Sequence, residues 1–358
     1  MQADSASTPS AAPAAACTAG AGRAPPPEFA QALRALGLAG DEVLRGEPLA
    51  GGVSSDIWRI ETARGAVCAK RALPRLRVAA DWRAPIERNV YEARWMQVAA
   101  EAVPGSAPAL LGQHEALGVL VMQWLAPQQH ALWKSELREG RVDAVFAHAV
   151  GDTLGRIHAH AAARPALAAR FASDAIFHDI RLEPYLLATA ARHPAAAAAL
   201  RRLAAETAAT RRALVHGDVS PKNILVGPHG PVLLDAECAW WGDPAFDLAF
   251  CLNHLLLKGL WRPDAAAALL GAFDALAAAY LAQVDWEPPA ALERRAAALL
   301  PALLLARVDG KSPLEYLTQE AERERVRRVA LPLLRQAPAP LAQLRRAWAA
   351  ELRCGARS

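Results

Sequence analysis

The sequence predicts an α+β protein of two unequal lobes, and three observations carry that reading. From about residue 28 to 125, short runs of β-like texture (DIWRIET at 56–62, AVCAKRAL at 66–73, GVLVMQWL at 118–125) are separated by glycine and charge. One helix-like stretch, IERNVYEARWMQVAAEA at 86–102, lies among them. After Pro127 the pattern turns long and helical, as in VFAHAVGDTLGRIHAHAAA at 145–163. Two short apolar runs interrupt it, at 223–226 and 231–235, joined by Gly-Pro-His-Gly. That is a hairpin signal inside an otherwise helical lobe.

In chain order, residues 1–27 are Ala/Pro/Ser/Gly-rich, end in Pro25-Pro26-Pro27, and read as a disordered leader. Residues 28–125 form the small sheet with one helix, and 126–358 form the larger helical lobe. The chain has 358 residues, enough for two lobes and a buried core, and 53% of them are hydrophobic, much of that alanine. Lys and Arg exceed Asp and Glu by only +4, and no basic block stands apart from acidic neighbours, so a nucleic-acid partner is not expected.

The five cysteines (Cys17, Cys68, Cys238, Cys251, Cys354) are scattered without metal-ligand spacing, which reads as reduced thiols in a cytoplasm. The first residues lack a positive start and a Leu/Val-rich stretch, so they make a poor signal peptide. The longest uninterrupted apolar candidate, AAALLPALLLA around Leu300, is short and contains Pro301, so no membrane association is expected.

The chemistry concentrates in LVHGDVSPKNILV at 214–226 and VLLDAECAWWGDPAFDLA at 232–249. Phosphoryl transfer from a nucleotide needs a carboxylate near the acceptor hydroxyl and oxygen ligands that hold Mg²⁺ against the phosphates. Asp218 stands five residues before Asn223 on a loop entering a strand, the spacing of a kinase catalytic loop. Asp235 ends the next strand, where a second metal-holding carboxylate is required. Alone, Asp218 and Asn223 would read as residues capping a turn. Together with Leu-Leu-Asp and Gly-Asp-Pro-x-x-Asp-Leu-Ala, the pattern is specific.

These motifs resemble those of the aminoglycoside phosphotransferase/choline kinase-like family, small-molecule kinases of bilobal protein-kinase-like fold. The resemblance runs from about residue 45 to 250 by motif and beyond that by texture. It implies ATP or GTP with Mg²⁺, and a small-molecule hydroxyl as acceptor. Asp218 would be the catalytic base or orient that hydroxyl, and Asn223 and Asp235 would be the metal ligands. His216 would be structural, Asp247 would tie the catalytic loop down, and Asp243 would have a similar supporting role.

A nucleotide site is then expected upstream. LAGGVSSDIWRI at 49–60 reads as strand, glycine turn, strand, so that Gly51, Gly52 and Ser54 offer backbone N–H groups and a hydroxyl to phosphates; a plain hairpin turn is the other reading. Lys70 ends the next strand in the position of the lysine that holds the α- and β-phosphates. Its helix partner is Glu92, with Glu87 as the second choice, because residues 92, 95, 96 and 99 share one helical face. Gln123 and Leu125 would present backbone groups to the adenine edge, with Met122 behind the pocket.

A protein kinase is disfavoured. Only a dozen residues separate Asp235 from Asp247, too few for an activation loop, and Ala-Glu stands where Phe-Gly would follow the metal aspartate. Ser220 occupies the place of the usual catalytic-loop lysine, and Lys222, two residues on, is offered as its substitute at the transferred phosphate.

The acceptor side is less defined. Arg307 and Asp309, with Lys311, either face the acceptor or belong to a helix end followed by a Ser312-capped helix with Glu315 at its third position. Trp240 and Trp241 either stack on an acceptor or sit in the core, and FHDIRLEPY at 177–185 is a comparable candidate. Residues 320–328 read as a solvated helix with Glu320–Arg323 and Glu324–Arg328 pairs. The near-balanced charge argues against a polycationic acceptor, which needs an acidic pocket. A kinase of an endogenous sugar or amino alcohol and a nucleotide-binding protein without catalysis are the competing readings.

Overall fold

A computed structural model describes residues 22–49, 55–74, 85–336 and 340–354. Strands β1 (Arg45–Pro48), β2 (Ser55–Thr62), β3 (Gly65–Ala72), β4 (Leu110–His114) and β5 (Val119–Gln123) form one antiparallel sheet in the order β1-β2-β3-β5-β4. Helix α1 (Pro27–Ala35) covers one face and α2 (Arg88–Ala102) the other. This explains why β5 is an unbroken apolar run. Val119 and Val121 pack in a cluster with Phe29 and Leu33, whereas Leu120 and Met122 join Trp95 and Met96 of α2. Alternate side chains point to opposite faces, and here both faces are covered.

The sheet begins earlier than the leader assignment allows. Arg23 and Gly46 exchange backbone hydrogen bonds of 3.0 and 2.9 Å, so the end of the 1–27 stretch adds a bridge to β1. Residues 1–21 and the turn residues Gly51, Gly52 and Ser54 lie outside the described residues.

Beyond the hinge come β6 (Ala131–Leu132), α3 (Trp133–Arg138), α4 (Ala144–Ala162), α5 (Asp174–Phe177), a π-helical segment His178–Leu187, α6 (Ala188–Arg192) and α7 (Ala197–Ala209). Strands β7 (Ala213–Val215), β8 (Ile224–Gly227), β9 (Gly230–Leu233) and β10 (Trp240–Gly242) follow, then α8 (Ala245–Trp261), α9 (Ala266–Ala282), α10 (Pro289–Asp309), α11 (Glu320–Leu334) and α12 (Leu341–Cys354). The hairpin read from the sequence is β8–β9, with Ile224 opposite Leu233; β6 adds to its edge, and β10 pairs with β7.

Helix α8 is the axis of the large lobe, buried from Ala245 to Leu260 and packed by α9 and α10. Helices α4 and α9 cross closely because Gly151 has no side chain. A Cβ there would lie 2.2 Å from the Leu276 carbonyl oxygen. The stretch 263–282 is apolar enough to cross a bilayer by composition, but Leu269, Phe273, Leu276 and Tyr280 bury it against the bundle as α9.

Two expectations fail at the C-terminal end. No helix follows Ser312; its carbonyl and hydroxyl accept from Arg307, the Leu314 amide donates to the Arg307 carbonyl, and the next helix starts at Glu320 behind a Gln319/Glu322 capping box. On α11, Glu320 does meet Arg323 at 3.8 Å, but Glu324 meets Arg327 at 3.2 Å instead of Arg328.

Candidate active site

The loop between β7 and β8 is built around one glycine and one buried aspartate. Gly217 has φ +81°, and a Cβ on it would lie 2.8 Å from Cys238 Cβ, so both conformation and space require glycine. Asp247, fully buried at the start of α8, accepts from the His216 and Gly217 amides at 2.7 and 2.8 Å. His158 Nε2 lies 3.2 Å from the same carboxylate, and the His158 ring is in turn 2.7 Å from the Tyr280 hydroxyl. His216 Nδ1 accepts from the Asp218 amide at 3.1 Å, while Nε2 faces the Leu234 carbonyl at 3.1 Å. Burial lowers the pKa of His216, so the ring is neutral and serves the backbone of the loop.

Asp218 projects from this loop with only 4% of its surface exposed. Its Oδ2 meets Arg181 Nη2 at 3.0 Å and Lys222 Nζ at 2.9 Å. Burial opposes ionisation there, but the two cations outweigh it and hold the carboxyl below its ordinary range. Asn223 donates from Nδ2 to the Asp218 carbonyl at 3.1 Å, and no described residue hydrogen-bonds its amide oxygen. The Leu234 amide donates to the Asn223 carbonyl at 2.8 Å, which ties the end of the hairpin to the loop.

Asp235 follows directly, with φ +67°, a left-handed conformation that aspartate tolerates better than most residues. Lys70 on β3 reaches across the lobes to it. The Lys70 ammonium also lies 2.7 and 3.0 Å from the two Glu92 oxygens, and contacts Asp235 Oδ1 closely. Burial alone would pull Lys70 down, yet Asp235 and Glu92 hold it well above its ordinary value. Asp235 is correspondingly held low, so its carboxylate is ionised. Glu92, not exposed Glu87, is therefore the helix partner. A second bridge runs beside it: wholly buried Arg88 donates to Glu237 at 3.0 Å and to the Leu73 carbonyl at 2.7 Å.

A carboxylate and a free amide oxygen, both hard donors, suit a small divalent cation that takes its remaining ligands from phosphates and water. Asp243 pairs with Arg295 at 2.9 Å and accepts from the Ala245 amide at 3.0 Å, which ties the start of α8 to α10.

Several expected contacts differ. Trp240 is stacked on Phe177 at 4.2 Å and Trp241, on the other face of β10, is buried as well, because both faces of the β10–β7 ribbon are covered; neither is open to an acceptor. Asp309 is taken up by His193 at 2.8 Å and Arg327 at 2.7 Å, so it supports α10 and α11 instead of facing a ligand. The two positions expected at the adenine edge, Gln123 and Leu125, also separate. The Gln123 amide donates to the Ala109 carbonyl at 2.9 Å and is occupied, whereas the Leu125 backbone makes no hydrogen bond among the described residues. Arg181 is marked in the sequence only as part of the acceptor candidate FHDIRLEPY, with nothing to single it out as the partner of Asp218, and Arg88–Glu237 leaves no signal beyond the Glu of Asp-Ala-Glu.

The family model described as "Phosphotransferase enzyme family" matches residues 45–292. A methylthioribose kinase of Yersinia pseudotuberculosis serotype O:3 (strain YPIII) is 27% identical over 233 residues, covering 56% of this chain and 57% of the relative. A methylthioribose kinase of Klebsiella pneumoniae (strain 342) is 28% identical over 235 residues, covering 58% and 57%. The chain thus spans little more than half the length of these curated relatives. Among solved structures, an ethanolamine kinase of Plasmodium vivax gives a TM-score of 0.48 at 12% identity, over 91% of this chain and 86% of that one. An aminoglycoside phosphotransferase of Alicyclobacillus acidocaldarius gives 0.44 at 17%, over 90% and 96%.

Proposed function

This chain belongs to the phosphotransferase enzyme family, and on that premise we propose that it transfers the γ-phosphoryl group of Mg-ATP to a hydroxyl of a small molecule. The observation that carries the reading is the buried bridge Glu92–Lys70–Asp235, which joins the sheet lobe to the metal side of the Asp218–Asn223 loop. Nothing in packing alone calls for three ionisable groups there, and burying them is costly unless they are paired.

In this reading Lys70, oriented by Glu92, holds nucleotide phosphates, and the Leu125 backbone meets the adenine edge. Asn223 and Asp235 hold the divalent ion, which neutralises charge on the phosphates when bound. The oxygen–phosphorus bond to the β-phosphate breaks as the acceptor oxygen bonds to phosphorus in line, and ADP leaves. Asp218 is a weak base because Arg181 and Lys222 hold it ionised. Its role is to orient the acceptor hydroxyl, whose proton leaves late in a loose transition state. Lys222, 2.9 Å from Asp218, would follow the transferred phosphoryl group.

The test is ATP consumption across a wide panel of sugars, amino alcohols, hydroxy acids and antibiotics, with Asp218→Ala as blank. At least one compound should raise ADP formation, with kcat about 10²–10⁴-fold lower in the variant. Mg-ATP binding without transfer to any compound would replace this reading with a nucleotide-binding protein.

A further inference from the structure

We propose that the acceptor carries an anionic group, a carboxylate or a phosphate, recognised by Lys258, His254 and Arg307; the inference rests on the phosphotransferase reading above. Lys258 on α8 is 1% exposed, and its ammonium lies 4.7 Å from the Trp261 ring and 4.9 Å from Tyr316, two rings stacked at 4.3 Å. Among the described residues no carboxylate or carbonyl oxygen bonds that ammonium. One turn earlier on α8, the His254 Nε2 is buried without a partner. Arg307 on α10 has an unpartnered buried Nε, and its Nη1 donates only to neutral oxygens of Tyr185 and Ser312.

The rest of the interior follows the opposite rule. Lys70, Arg88 and Arg181 are each buried against a carboxylate. A buried ammonium held only by ring faces lacks its counter-charge, and a ligand supplies it most simply. Nearby acids are already engaged, Glu315 by Lys134 and Asp309 by His193 and Arg327. The other charged groups facing the cluster, Lys134 and Lys222, are cations.

The cluster is connected to the reacting end. Arg181, bonded to Asp218, lies 5.7 Å over the rings of both Tyr185 and Phe250. His254 meets Phe250 edge-on at 5.3 Å, and Arg307 reaches the Tyr185 hydroxyl at 3.1 Å. One contiguous group of side chains thus joins Asp218, where the acceptor hydroxyl is proposed to lie, to the cations proposed to hold its anion. Burial and the nearby cations keep His254 neutral, so it serves as an uncharged donor.

The test uses matched pairs in the ATP-consumption assay: gluconate with glucose, and glycerate and glycerol 3-phosphate each with glycerol. The anionic member should be favoured at least about tenfold in kcat/KM, the yield of one charge-assisted contact, and the carboxylate and phosphate arms identify which anion fits. Lys258→Met should shrink the preference to within about twofold, mainly through KM, while Lys258→Arg keeps it. Without nucleotide, the preferred anion should raise the melting temperature of the wild type but not of Lys258→Met. Equal use of both members, or a preference that survives Lys258→Met, overturns the inference and leaves the transfer reading standing. No transfer at all, with the anion-dependent melting shift present, keeps the anion site and overturns the transfer reading. Neither transfer nor shift overturns both.

Discussion

Two buried, charged regions of the molecule treat charge in opposite ways. Around Asp218 and Asp235, each cation has a carboxylate: Lys70 has two, and Arg181 and Lys222 share one. Around Lys258, the Lys258 ammonium faces aromatic rings, Arg307 donates to neutral oxygens, and the Nε2 of neutral His254 has no partner. In the first region the chain itself compensates every cation, whereas in the second the proposed anionic ligand does. Pairing is what makes buried charge tolerable, so the unpaired region is where selection for something other than stability is legible.

The comparison is tested hardest where it predicts most. Glu92→Ala leaves Lys70 buried with one carboxylate in place of two, and should cost about 3–5 kcal/mol, read from denaturant unfolding. A loss under about 1 kcal/mol would mean that Asp235 alone satisfies Lys70 and that the first region is less interdependent than argued.

Gly217→Ala should cost about 1–3 kcal/mol, because alanine disfavours φ +81° and its Cβ would press on Cys238. Turnover should fall along with stability, since the strain is carried by the loop that holds Asp218. Wild-type turnover in a destabilised Gly217→Ala would separate the two.

The smallest effect has the opposite sign. Lys258→Met should stabilise the ligand-free protein by roughly 1 kcal/mol, the removed charge outweighing two lost cation–ring contacts. Burial, then Lys134 and Arg307, outweigh the opposing Glu315 carboxylate and pull Lys258 from 10.5 to about 7. A lysine with depressed pKa destabilises the fold fully below that value, and the penalty fades as pH rises toward 10.5. The gain from Lys258→Met should therefore be largest below about pH 7 and shrink above it, in melting curves of both proteins. A gain independent of pH would show that packing, not charge, sets it.

Much of the first region is readable along the chain. Asp218, Asn223 and Asp235 lie on one loop and hairpin, so their spacing reports their proximity directly. Glu92 was separable from Glu87 because helical periodicity puts it on the face of Trp95 and Met96. Other partners were beyond such reasoning: Arg88 and Glu237 stand 149 residues apart, and nothing local marks either as the other's partner. The pair Trp240-Trp241 reads equally as core or stacking platform until β10 is seen to pair with β7. Ser312 has the pattern of a helix cap, but Arg307 claims both of its oxygens.

The sequence by itself determined the two-lobed α+β order, the catalytic-loop hairpin and the carboxylates on it, because periodicity and turn chemistry act over a few residues. Tertiary structure decided which charges are compensated. Compensation is a sum over every neighbour in space, and that the acid nearest Lys258, Glu315, is already paired with Lys134 can be seen only when α3, α8, α10 and the 310–318 segment are brought together.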